Sequence, residues 1–139
     1  MILILLHSLG WAIPQTTRSF PTGPVELSRA LNDDDKRYRK YAVRTLKGDI
    51  RRAISQTRSS DPVLQLEARQ SLGDYETYTI PACLRQLQTS DVGPNCATIL
   101  SMLESASSLE VLHEAYSNER LTSRHRRKIK SAITNLEQL

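Results

Sequence analysis

Phenylalanine and tryptophan occur once each in this chain of 139 residues, as Phe20 and Trp11, and all aromatics together make up 5%. An interior of packed rings is excluded, so the core has to be aliphatic, drawn from Leu, Ile, Val and Ala, a composition that favours helices. Cysteine is almost as scarce. Cys83 and Cys96 stand thirteen residues apart with no C-x-x-C pair and no histidine at ligand spacing, which argues against a zinc site. Both read as small core residues, with a disulfide between them as the lesser alternative.

Catalytic patterns are missing as well. His7, His113 and His125 are scattered, and no G-x-S-x-G, H-E-x-x-H, phosphate-binding or dinucleotide-binding glycine motif occurs. The chain therefore reads as non-enzymatic, with no catalytic residues, no metal and no cofactor. The run Asp33-Asp34-Asp35 reads as a solvated turn that caps the helix after it, in preference to a cation site.

Long apolar runs are lacking too. The opening "MILILLHSLGWAIPQTTRSFPTGP" falls short of the roughly 20 apolar residues that a spanning helix needs. It has no basic segment before the apolar run and no clean A-x-A site after it. Residues 1–23 are expected to be an N-terminal arm laid on the domain, or else a targeting segment. The absence of acidic residues before Glu26 and the scattered Ser and Thr are features of an organelle transit segment. The expected compartment is the cytoplasm, with an organelle stroma as the alternative.

What is present is periodic. At 15.7 kDa the chain is long enough for one domain that buries roughly two-thirds of its unfolded surface. Turn-forming clusters at 22–24, 32–35, 47–49, 59–62, 72–77, 89–94, 105–108 and 117–123 separate eight apolar-periodic segments. Four of them, 25–31, 50–58, 80–88 and 109–116, alternate with 37–46, 63–72, 95–103 and 124–136. Each pair makes a helical hairpin of roughly thirty residues.

Start and stop signals agree with these segments. Asp61 before Pro62 is an N-cap followed by proline in the first turn, where its missing N–H costs nothing. Ser107 with Glu110 has capping-box spacing. Pro24 and Pro81 fall near segment starts, and Gly48 and Gly73 fall just past segment ends, where a left-handed C-cap suits glycine.

Counted from Asp35, Asp61 and Asp91, position +3 is Tyr38, Leu64 and Pro94; position +7 is Ala42, Ala68 and Thr98; position +11 is Leu46, Leu72 and Met102. These offsets advance by four and form one stripe along a helix. On this reading Leu64→Asp or Ala68→Arg unfolds the protein, by burying an unpaired charge or by overpacking.

Asp35, Tyr38, Arg39, Ala42 and Leu46, followed by Asp61, Leu64, Ala68, Leu72 and Gly73, resemble the second-helix pattern D-x-x-[apolar]-R-x-x-A-x-x-A-L-G of short HEAT-like repeats, the kind also found in phycobilin lyases. The resemblance covers about residues 24–139. It departs at Gln65 and Asn95, which stand where Arg39 does, at Pro94 inside the third repeat, and in a fourth repeat without a turn aspartate. It implies an all-α, right-handed α–α superhelix, a HEAT-like solenoid of about four hairpins whose units are stable only when stacked. It also implies a scaffold or adaptor that docks a partner protein within a larger complex. A further implication is a bilin-lyase-type subunit in which Cys83 or Cys96 holds a chromophore through a thioether.

Charge is segregated along the chain. Residues 36–52 carry eight basic side chains against Asp49 alone, net +7. Residues 71–119 carry seven acidic groups against Arg85 alone, net −6, and residues 120–139 six basic groups against Glu137, net +5. Stacking would align Lys36, Arg37, Lys40, Arg44 and Lys47 as one basic ridge, and Arg124, Arg126, Arg127 and Lys128 as a second. Such ridges attract acidic protein surfaces, phosphate backbones or anionic lipid heads. A protein partner is the leading expectation and nucleic acid the alternative; with Tyr38 committed to the apolar stripe, a base-stacking platform is not expected.

Overall fold

Asp35 and Asp61 begin the two longest helices, each with its own carboxylate. Asp35 Oδ1 accepts the Arg37 N–H at 2.9 Å and Asp61 Oδ1 accepts the Val63 N–H at 2.9 Å, which satisfies first-turn donors that have no partner within the helix. A computed structural model of the chain describes residues 19–89 and 91–139. The segment expected to be an arm or targeting sequence lies, up to residue 18, outside the described residues.

Among the described residues the protein is all-helical. The helices are α1 (Gly23–Ala30), α2 (Lys36–Gln56), α3 (Pro62–Gln86), α4 (Gly93–Met102), α5 (Leu109–Tyr116) and α6 (Ser123–Glu137), with a single 3₁₀ turn at Ala106–Ser108. None of them is long and apolar enough to cross a membrane.

Two expected breaks are absent. Segments 37–46 and 50–58 fuse into α2, and segments 63–72 and 80–88 fuse into α3. Gly48 and Gly73 are therefore interior helical residues and not C-caps, and Pro81 lies inside α3 and not at a segment start. The reason is visible in the buried seam of α2. Tyr38, Ala42, Leu46, Ile50 and Ala53 are all buried, at spacings of four, four, four and three that continue straight through Gly48. Burying that stripe outweighs the roughly 1 kcal/mol that glycine costs in a helix. The expected capping box is also absent: α5 follows directly on the 3₁₀ turn with no side-chain cap, and the Ser107 hydroxyl pairs with that of Ser105 at 3.1 Å.

Packing follows chain order. Each of α1, α2 and α3 packs on the next helix, as does α5 on α6, and next-but-one packing joins α1 to α3, α2 to α4 and α4 to α6. Next-but-one helices run parallel. In α2 and α4 Lys47 meets Asn95 while Ile54 and Met102 line one hollow; between α4 and α6, Gly93 lies against His125 while Ser101 meets Asn135; beside α1 and α3, Ser28 bonds Thr79 at 2.9 Å and Asn32 meets Gln86. Sequential neighbours run antiparallel, as shown by Asp49 against Tyr75 and Ile54 against Leu72.

The core is aliphatic, as the composition requires. Leu27, Leu31, Leu46, Ile50, Leu87, Ile99, Leu100, Leu112 and Ile129 are fully buried. Cys83 and Cys96 are buried free thiols within it. The hydrogen bond to Cys96 and burial raise the Cys83 thiol well above its ordinary range, and neither sulfur is presented to a surface-bound chromophore.

Leu64 departs from the expected stripe: it is 37% exposed, beside Val63 at 62% and Leu66 at 57%. Helix length explains this. With 25 and 21 residues, α3 and α2 extend about 37 and 32 Å, whereas α1 and α4, with 8 and 10 residues, extend about 12 and 15 Å at 1.5 Å per residue. The tip of the α2–α3 hairpin outreaches its neighbours, and of the first ten residues of α3 only Ala68 is buried.

Candidate polyanion-docking face

The seam that buries one side of α2 fixes what the other side presents. Lys40, Arg44, Lys47 and Arg51 recur at spacings of four, three and four, and so form one stripe. On α6, burial of His125, Ile129, Ala132, Ile133 and Leu136 turns Arg124, Arg127 and Lys128 outward. Between them lies α4, packed on both helices. Two basic stretches about 80 residues apart in the chain thereby meet across one short helix.

Their meeting place is a cleft of about 370 Å³ lined by Lys40, Val43, Arg44, Lys47, Asp91, Val92, Asn95 and Arg124. A second hollow of about 470 Å³, lined by Arg124, Arg127, Lys128 and Ser131, adjoins it through Arg124. The Lys47 ammonium is half-buried and donates to Asn95 Oδ1 at 2.6 Å. Burial lowers its pKa below the usual lysine range, and repulsion from Lys128, Arg51 and Arg124 adds to the effect. Residues from both basic stretches thus share one electrostatic environment.

Among the described residues Asp91 is the only carboxylate in the cleft lining, and it is already engaged. Arg39 Nε donates to Asp91 Oδ2 at 2.6 Å, and Arg39 Nη1 donates to the carbonyls of Asp33 at 2.7 Å and Asp34 at 3.0 Å. Among the described residues the seven cations of the α2 and α6 stripes have no carboxylate partner at salt-bridge distance. The face is a concentration of unneutralised positive charge, suited to holding anions.

Of the residues expected from sequence to dock a partner, Lys40, Arg44, Lys47, Arg124, Arg127 and Lys128 come together here. Lys36 and Arg37 lie at the start of α2, outside the cleft. Arg37 is tied to Asp35 at 3.2 Å, and that hydrogen bond and charge raise its pKa. Arg126 belongs to the frame and not to the ridge: it donates to the carbonyls of Tyr116 at 2.8 Å and Asn118 at 2.9 Å and lies over the Tyr116 ring, 5.3 Å from its centroid. Two contributors were not singled out from sequence. Arg51 extends the α2 stripe once that helix is seen to run past Gly48, and Asn95 could be placed only by the contact between α2 and α4.

Gly93 makes this arrangement possible. A Cβ there would stand 2.5 Å from Cε1 and Nε2 of His125 and 2.6 Å from the Leu87 carbonyl oxygen. The buried His125 Nε2 donates to that same carbonyl at 2.6 Å, so the start of α4 fits against α6 only without a side chain. Comparison with protein-family models, with curated proteins and with solved structures finds no match to this chain.

Proposed function

We propose that this chain is a non-enzymatic helical-repeat module of the HEAT-like kind, an adaptor that docks an anionic macromolecular partner on the face formed by α2, α4 and α6. One observation carries the reading: the two basic stretches converge across α4, and the only carboxylate among the described residues of the cleft lining is already paired with Arg39. Antiparallel sequential neighbours and parallel next-but-one neighbours are what a right-handed stack of hairpins produces. Packing confined mainly to helices one or two places apart among the described residues also favours a stack over a bundle closed on itself. Apart from Asp91, which is paired with Arg39, the polar groups lining the cleft are cations and an amide, whose shared capacity is to hold negative charge.

Retention on immobilised heparin tests the docking face. Reversal of Arg44 and Arg124 to glutamate should release the protein at much lower salt than wild type. The same charge change at Lys36 and Arg37, outside the cleft, should move elution far less. Equal shifts for the two double variants would reduce the effect to net charge and refute a docking face.

A further inference from the structure

Resting on that docking reading, we propose that the partner is double-stranded nucleic acid, gripped through its phosphate backbone without reading of bases. Three features of the face separate this partner from an acidic protein or a single strand.

The first is the lack, among the described residues, of an apolar anchor. Protein interfaces draw most of their affinity from buried aromatic or aliphatic hot spots. Here the apolar lining consists of Val43 and Val92, both already buried, and none of the exposed large hydrophobics (Phe20, Val63, Leu64, Leu66, Tyr78, Leu139) lines either hollow. An acidic protein would find charge on this face but nothing to insert.

The second is extent. From Lys40 to Arg51 the α2 stripe runs about 16 Å at 1.5 Å per residue, and the α6 cations flank it across α4. A duplex carries one negative charge per roughly 1.7 Å of axis with both strands counted, so a stretch as long as the stripe carries about nine phosphates, and those on the near side face the seven cations. A small anion would engage only one end of the array.

The third is the absence, among the described residues, of a stacking surface. Strand-binding grooves add aromatic rings on which unpaired bases lie. Tyr41 is covered by Phe20, with centroids 4.6 Å apart, and Tyr116 lies beneath Arg126; neither lines the two hollows. Among the described residues, no ring in the two hollows offers the bases of a single strand a place to lie.

Fluorescence anisotropy with the full chain, at several salt concentrations, tests the proposal. The probes are a mixed-sequence 20-base-pair duplex DNA, a second duplex of unrelated sequence, one of the single strands, and poly-glutamate. Neutralising all seven cations predicts a log–log salt slope of about −6, from roughly −0.9 per phosphate. Both duplexes should bind alike and more tightly than the single strand. Arg44→Gln with Arg124→Gln should reduce the slope by about 2, while Lys36→Gln with Arg37→Gln leaves it unchanged; far-UV circular dichroism confirms that each variant is folded. Tighter binding of the single strand, or a strong preference between the duplexes, would overturn the proposal. Poly-glutamate bound through Arg44 and Arg124 with no duplex binding would overturn it while leaving the docking face intact. Failure of every probe, heparin included, would remove both.

Discussion

Alanine placed in turn at Gly93, Gly48 and Gly73 should change stability with opposite signs. At Gly93 the new Cβ meets a histidine ring and a backbone carbonyl at 2.5–2.6 Å, and both are held by the His125–Leu87 hydrogen bond in the core. Overpacking costs about 1–3 kcal/mol, and parting a buried donor from its acceptor adds about 1–3 kcal/mol. A total near 3 kcal/mol is expected, a fall in Tm of about 10 °C for a domain of this size. At Gly48 and Gly73 a Cβ meets nothing within 4 Å, and neither glycine has a positive φ. Each should gain about 0.5–1 kcal/mol, because alanine loses less backbone freedom in a helix than glycine does. Urea unfolding followed by circular dichroism, with the m-value checked for constancy, measures all three. Had either glycine been a left-handed C-cap, alanine there would destabilise by about 1 kcal/mol. Destabilisation by Gly48→Ala or Gly73→Ala would therefore refute the continuous helices, and a neutral Gly93→Ala would refute the close approach of α4 to His125.

The hairpin tip and the buried tyrosine give two more predictions. Leu64→Asp should cost less than about 1 kcal/mol, since Leu64 is on the surface, whereas Ala68→Arg at a position 1% exposed should destabilise strongly; equal losses in thermal melts would contradict the projecting tip. Tyr75 is pushed up to about 12 by burial, by the charge of Asp49 and by its hydrogen bond to Asp49 Oδ2 at 3.4 Å. Its contribution to stability is complete below pH 10 and is lost as pH rises from 10 through 12, so Tyr75→Phe should flatten the alkaline fall in stability in a pH series of urea melts.

The helical class was legible because its signals act over a few residues. Asp35 and Asp61 cap the next turn of their own chain, and Tyr38, Ala42 and Leu46 fall on one stripe whatever packs against it. Glycine was misleading for the complementary reason: Gly48 can end a helix or continue one, and the choice depends on whether Ile50 and Ala53 find a surface on which to be buried. Leu64 carries the same pattern as Tyr38, yet it ends exposed because α1 and α4 are too short to reach it. Arg126 is as basic as its neighbours, and only the positions of the Tyr116 and Asn118 carbonyls remove it from the ridge.

Sequence alone determined that the chain forms amphipathic helices with an aliphatic interior, that Asp35 and Asp61 cap the two longest of them, and that its positive charge falls into two distant stretches, since spacing and these caps are properties of neighbouring residues. Tertiary structure decided that those stretches share one cleft, because Lys47 and Arg124 become neighbours only when α4 packs between α2 and α6, and that contact depends on the missing side chain at Gly93.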